Sequence, residues 1–290
     1  MTTKEKEQIA SRLRRHIELK GSQKRAANSL EGVSSATVNK IVTGLWDGIS
    51  DAMWRGVANQ LMSDANEAEW AIAETKGCRM MRFVLQEVQE YALTAAVTGP
   101  AGCGKTEAIR RYALSTPNVY HIECAEYWRK KKFIGSLLKA VGSPMTGGSL
   151  EDMMEEAVRE IARAEHPIVV LDEADKLSDA ILYFFITLYN KLEGRCGFLL
   201  CATGYLEKRL NRGVALQRKG YEEIYSRLGR RVIRLDAPHD DDITAVCVAN
   251  GITSPASIRR IVRECDCDLR MVRRAVWAER RQSREAGDQQ

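Results

Sequence analysis

The chain is poor in the features that define several large classes of protein. No apolar run approaches the ~20 residues that a membrane-spanning helix needs. The opening stretch, Met1-Thr2-Thr3-Lys4-Glu5-Lys6-Glu7, is polar and mixed in charge, so no signal peptide is expected. The eight cysteines include no C-x-x-C pair, and Cys265 and Cys267 have no second pair or histidine near them. A zinc site and a disulfide framework are therefore not expected, and the cysteines read as buried thiols of a reducing, cytoplasmic compartment. His16, His121, His166 and His239 stand isolated and carry no assigned role. There is no internal repeat and no low-complexity tract. What is present is 290 residues, 44% hydrophobic and 29% charged. That balance excludes wholesale disorder and allows one medium domain with one or two small ones.

The charge is unevenly spread. Residues 1–62 carry ten basic and six acidic side chains, and residues 205–234 carry nine and three, within a total of 44 basic and 39 acidic. Two basic islands on a near-neutral body suggest a polyanionic partner.

Four segments follow from the periodicity. Residues 1–62 read as short helices with a helix-turn-helix, whose small core would be Ala27, Val33, Val38 and Ile41. Its turn, counted from Ala27 to Gly32, is one residue longer than usual. Residues 63–78 are polar and acidic, a linker or approach helix. Residues 79–237 alternate short apolar strands (94–98, 118–124, 168–171, 197–202, 231–235) with helices. That pattern predicts an α/β fold, a parallel sheet with helices on both faces. Residues 238–290 show only helical patterns, 239–250, 254–265 and 268–281, and read as a small helical domain.

The strongest chemical signal is Gly99-Pro100-Ala101-Gly102-Cys103-Gly104-Lys105-Thr106, which fits G-x-x-x-x-G-K-[ST] between a strand and a helix. Glycines let the backbone wrap a phosphate, and the following helix N-terminus favours negative charge. Lys105 would reach the β- and γ-phosphates of ATP, and Thr106 would offer its hydroxyl to Mg²⁺. The second signal is Ile168-Val169-Val170-Leu171-Asp172-Glu173, a buried strand ending in two carboxylates. Asp172 would hold the Mg²⁺ through water, and Glu173 would polarise the attacking water. An acidic pair at that place favours hydrolysis over nucleotide binding alone.

With these motifs the chain resembles the AAA+ ATPases, and the resemblance implies further roles. Glu107 completes the phosphate-loop motif. Thr203, at a strand end, matches the residue that senses the γ-phosphate. Arg227, or failing that Arg230, matches the arginine finger that reaches a neighbouring subunit's ATP. Arg270, in Asp268-Leu269-Arg270, matches the sensor-2 arginine, with Arg273 and Arg274 as alternatives, and residues 238–290 become a helical lid. Domain order and motif wording are similar to the transposon target-selection ATPases, the family of phage Mu transposition protein B. That likeness implies ATP-dependent, largely sequence-independent binding to double-stranded DNA as an oligomer or helical filament. It also implies stimulation of a DDE transposase, and a cytoplasmic, nucleoid-associated location. DNA contacts are expected from Arg129, Lys130, Lys131 and Lys132, a cation run beside Trp128, and from Thr37, Asn39 and Lys40 on the recognition helix. Competing readings are a helicase loader or replication initiator, and an ATP-regulated helix-turn-helix transcription factor. A σ54-type activator is disfavoured because the chain has no Gly-Ala-Phe-Thr-Gly-Ala run.

Overall fold

The computed structural model describes residues 1–61, 70–229 and 232–287. The chain opens with four helices, α1 (Thr3–Lys20), α2 (Gln23–Ser29), α3 (Ser35–Thr43) and α4 (Asp51–Leu61). Thr2 starts α1 with a reciprocal capping box, and Gly21 ends it at φ 73°, a left-handed turn that glycine adopts without a Cβ penalty. Ser22 and Ser34 cap α2 and α3. The four helices close on Ile9, Leu13, Ile41, Trp54 and Val57 together with Ala27, Val33 and Val38. Trp46 stands edge-on to Trp54, with centroids 5.5 Å apart.

The body alternates helix and strand. It runs α5 (Lys76–Glu90), β1 (Thr94–Thr98), α6 (Lys105–Ser115), β2 (Val119–Glu123), α7 (Lys130–Val141), α8 (Leu150–Ala162) and β3 (Ile168–Asp172). A 3₁₀ turn (Ala174–Lys176) leads to α9 (Asp179–Leu192), β4 (Gly197–Ala202), α10 (Gly204–Ala215), α11 (Tyr221–Arg227) and β5 (Val232–Arg234). The strands form one sheet in the order β2-β3-β4-β1-β5, and each neighbouring pair is parallel. β3 and β4 are buried along their whole length, which is why they read as unbroken apolar runs. Successive side chains serve opposite faces. Val169, Leu171, Phe198 and Leu200 pack with Phe133, Leu137 and Phe185 on one face. Ile168, Val170, Leu199 and Cys201 pack with Leu85 and Ile109 on the other.

α5 begins inside the stretch 63–78 expected to be a linker or approach helix. Thr75 caps it by accepting the Cys78 N–H, a local bond that overrides the polar look of the sequence. Residues 63–69 of that stretch lie outside the described residues. α12 (Asp240–Ala249), α13 (Pro255–Glu264) and α14 (Leu269–Gly287) close the chain around Ile243, Cys247, Ile261, Val272 and Val276. Trp70 and Ala73, from the segment before α5, pack against this group. Fully buried Asn250 ties the two together, accepting the Ala71 N–H at 3.0 Å and donating to the Ala71 carbonyl at 2.8 Å. No described helix is long and apolar enough to cross a membrane.

The helical bundle rests on α7 and α8. Arg25 pairs with Glu160 at 2.9 Å, and Asn28 donates to the Gly142 carbonyl at 3.1 Å. At Gly142 a Cβ would lie 2.5 Å from the Arg25 carbonyl oxygen, so the close approach requires glycine there.

Candidate nucleotide-binding site

The site lies beyond the carboxyl ends of the strands, the usual ligand position in an open parallel sheet. β1 delivers the chain into Gly99–Gly104, and Gly104 (φ 93°) turns it into α6. Gly99 is confined, since a Cβ there would stand 3.0 Å from the Leu235 Cβ and 3.1 Å from the Cys103 Sγ. Lys105 Nζ folds over its own loop and donates to the carbonyls of Gly99 (2.8 Å) and Pro100 (2.9 Å).

β3 delivers Asp172 beside α6. Thr106 donates its hydroxyl to Asp172 Oδ2 at 2.7 Å, and the Glu173 N–H donates to Oδ1 at 2.9 Å. Asp172 is 2% exposed. Burial alone would raise its pKa, but His121 and the Thr106 hydroxyl outweigh that and hold it below the ordinary carboxylate value. His121 reaches it from the neighbouring strand β2, with Nε2 3.5 Å from Oδ2. Glu173 adopts φ 55°, a left-handed conformation that costs a non-glycine residue about 1–2 kcal/mol. Its carboxylate pairs with Lys176 at the cleft edge. Thr203 caps α10 and donates its hydroxyl to Asp175, on the loop that follows Glu173.

Lys105, Thr106, Asp172, Glu173, Asp175, Lys176 and Thr203 line a cleft of about 500 Å³, together with Ala101, Gly102, Cys103 and Glu107, whereas Gly99, Pro100 and His121 do not reach its wall. The C-terminal helix α14 supplies Arg270 and Arg273, but not Arg274. The Arg273 guanidinium lies over the rings of Trp70 (5.5 Å) and Trp277 (4.8 Å). Leu269 donates its N–H to the Gly102 carbonyl at 3.0 Å, joining lid to phosphate loop. Trp70, Ile72, Ala73 and Val246 give the cleft an apolar end. One end thus offers cations, backbone N–H groups and a hydroxyl–carboxylate pair, and the other offers apolar surface.

The remaining expected residues lie elsewhere. Arg227 ends α11, pairs with Glu223 at 2.7 Å, donates to Asn190 at 3.0 Å and stacks on Tyr189, outside its own chain's cleft. Arg230 lies outside the described residues. Arg129 caps α7, and Lys130, Lys131 and Lys132 form its exposed first turn. Their neighbour Trp128 is buried, so it packs in the core, whereas Tyr127 is 81% exposed. Asn39 and Lys40 are exposed on α3, and Thr37 is engaged with the capping Ser34. The sequence reading missed His121, Lys176 and Trp70. His121 had no signal, because only the pairing of β2 with β3 brings it to Asp172.

Residues 86–210 match the family model described as AAA domain. With the strand order and the phosphate loop, this identifies the body as an AAA+ P-loop fold. No curated protein matches the chain. Among solved structures, the chain is similar to one of Drosophila ORC bound to DNA, with 15% identity and a TM-score of 0.46 over 70% of this chain and 53% of that one. It is also similar to NtrX from Brucella abortus in complex with ATP, with 14% identity and a TM-score of 0.45 over 85% and 59%. The match therefore spans little more than half of either chain.

Proposed function

We propose that the chain is an AAA+ ATPase that assembles on double-stranded DNA and, as its motif order suggests, serves a DDE transposase by marking target DNA. The observation that carries the ATPase reading is the Thr106–Asp172 bond at 2.7 Å. It puts a hydroxyl and a carboxylate held ionised side by side at the foot of the phosphate loop, a hard-oxygen donor set that suits Mg²⁺. The glycine-rich loop and Lys105 fit a triphosphate, and the apolar end of the cleft fits its base. ATP with Mg²⁺, when bound, brings the phosphoanhydride to be cleaved and neutralises part of its charge.

The chain's own residues then divide the work. Lys105 exchanges its bonds to the loop carbonyls for phosphate oxygens. Thr106 would hold the metal by its hydroxyl, and Asp172 would hold it through water. Glu173 leaves Lys176 to accept a proton from water, and Thr203 orients that water. Arg270 closes the lid over the phosphates. Arg227 lies outside its own cleft, which suits an arginine that serves the next subunit's phosphates. The cations at the start of α7 support a DNA partner. Four of them at the positive end of a helix dipole oppose that helix by a few tenths of a kcal/mol each, and a polyanion would offset the cost. Lys40 and Asn39 add exposed contacts on α3.

The test is electron microscopy of the protein with long duplex DNA and a non-hydrolysable ATP analogue, beside turnover assays with and without DNA and transposase. Filaments or rings are expected for wild type and for Glu173→Gln, with turnover lost in that variant, and no assemblies for Lys105→Ala. Scattered single particles under saturating nucleotide would refute assembly. Unchanged turnover in Glu173→Gln would refute the role of that carboxylate.

A further inference from the structure

A second cavity, of about 490 Å³, lies where the helical bundle meets the α/β body. The end of α1, the end of α2, the last turn of α6, the start of β2 and α7 all contribute to its walls. Three cations line it, Lys20, Arg110 and Lys139, and no aspartate or glutamate is among its lining residues within the described part of the chain. The other polar liners include Asn118 and Ser136, and Leu19, Leu30, Ala113 and Val119 supply apolar wall.

The cations are held differently. Arg110 pairs with Glu123 at 2.7 Å and Lys139 with Glu31 at 3.5 Å, both in exposed pairs that bind weakly and can be exchanged. Lys20 donates to the Ala140 carbonyl at 2.8 Å. An ammonium carries three donors, and a carbonyl neutralises none of its charge. Burial lowers the Lys20 pKa to about 8, with no carboxylate acting against it. The neighbouring His16 reports the same field. Ser29 donates its hydroxyl to the Ala26 carbonyl, so toward His16 Nε2, at 2.8 Å, it accepts. The imidazole therefore donates from Nε2. Burial first, and then the Lys20 charge, push its pKa down to about 4. A half-enclosed cation without a counter-charge is costly to keep, and an anion brought from solution offsets that cost.

We propose that this cavity is a second ligand site, separate from the P-loop cleft, that takes a small phosphate-bearing anion between bundle and body, with Lys20 as its central contact. Arg110 and Lys139 would turn from their exposed partners to the same anion. The size lies within the usual range of small-molecule sites. A ligand there touches both the bundle and the body, so its binding holds them together. Two liners also reach toward the P-loop cleft. Arg110 lines both cavities, and His121 lies against Asp172. Occupancy of the two sites would then be coupled, and by linkage equally in both directions.

The proposal does not depend on ATP hydrolysis, and its test removes the P-loop site from view. Full-length Lys105→Ala protein is dialysed to equilibrium against labelled pyrophosphate and, separately, labelled AMP. Saturable binding of one equivalent of either probe is expected, and the tighter of the two shows whether the bare anion or a nucleotide is preferred. Adding Lys20→Met should weaken binding at least tenfold, whereas Lys20→Arg should largely keep it. No saturable binding, or binding unchanged by Lys20→Met, would overturn the proposal. So would a Lys20 dependence seen only for duplex DNA, read by fluorescence anisotropy. Should Lys20→Met fail to fold, acetylation of Lys20 at pH 8.5 can be followed by mass spectrometry in the Lys105→Ala protein. Protection by a probe supports the site, and unchanged labelling overturns it.

Discussion

Gly102 is where the lid and the phosphate loop come closest, and adding a single methyl group there tests how the cleft closes. Its φ is 74°, and a Cβ would stand 2.0 Å from Asp268 Oδ1 and 2.2 Å from its Cγ. Asp268 cannot simply swing aside, because Oδ1 accepts the Arg270 N–H at 2.7 Å and starts α14. Gly102→Ala should therefore act twice. The left-handed conformation costs the folded chain about 1–2 kcal/mol, seen as lower stability. The clash pushes α14 away and breaks the Leu269 N–H bond to the Gly102 carbonyl and the Asp268 cap, about 1 kcal/mol each. Two lost contacts at a lid that carries Arg270 correspond to roughly 30-fold weaker nucleotide binding, at 1.4 kcal/mol per tenfold. Fluorescent-ATP titration and urea unfolding read the two effects separately. Asp268→Ala removes the overlapping atoms. The double variant should then bind nucleotide nearly as well as Asp268→Ala alone, while its stability stays low. If Gly102→Ala bound like wild type, the contact would be irrelevant to closure. If the double variant bound no better than Gly102→Ala, the methyl would be striking the nucleotide, and the reasoning from Asp268 would fail.

Two further outcomes are expected. His16 is held to about pKa 4 against an ordinary 6.5, so the unfolded chain takes up its proton first and stability falls as pH drops from 6.5 to 4, by at most roughly 3 kcal/mol. Urea unfolding across that range should show the slope in wild type and its loss in His16→Gln; parallel slopes would contradict the buried neutral imidazole. Arg227→Ala and Glu173→Gln should each be inactive alone and recover ATP turnover when mixed, because one supplies a complete cleft and the other a finger. No recovery in co-assembled mixtures would place Arg227 outside the neighbour's site.

The parts of the site that backbone rules govern were legible in the sequence. A phosphate loop announces itself because glycine takes φ 74° and 93° at Gly102 and Gly104 without the cost that a Cβ brings, and the next turn must present Lys105 and Thr106. Asp172 and Glu173 were legible because the strand that carries them is apolar throughout and its first polar residues mark the end of the sheet. Strand order was not legible, and with it went His121, whose neighbour Asp172 is fifty-one positions away in the chain but in the next strand of the sheet. Trp70 escaped for a similar reason. It stands at the edge of an acidic stretch, and contacts far off in sequence, the Asn250 bonds to Ala71 and the Arg273 guanidinium over its ring, bring its segment against the C-terminal helices.

In the basic stretch 205–234, charge alone does not say what each cation does. Its charge pattern drew attention to polyanion binding, and its two helices, α10 and α11, went unread. One of its cations serves the fold. Arg209, half-buried with 14% side-chain exposure, donates to the Leu177 and Asp175 carbonyls, to Asp179, and to the Tyr221 hydroxyl at 3.0 Å. Tyr221 donates in turn to Asp179 at 2.6 Å. The guanidinium therefore ties the loop that follows Glu173 to the start of α11, the helix that ends at Arg227. Gly213 permits this, since a Cβ there would stand 2.1 Å from the Tyr221 ring. A planar fork with five donors can satisfy all these acceptors at once, and a lysine could not. Read by charge alone, Arg209 and an exposed DNA-binding arginine are the same letter. Burial and partners separate them, and both depend on how α10 lies against the carboxyl ends of β3 and β4.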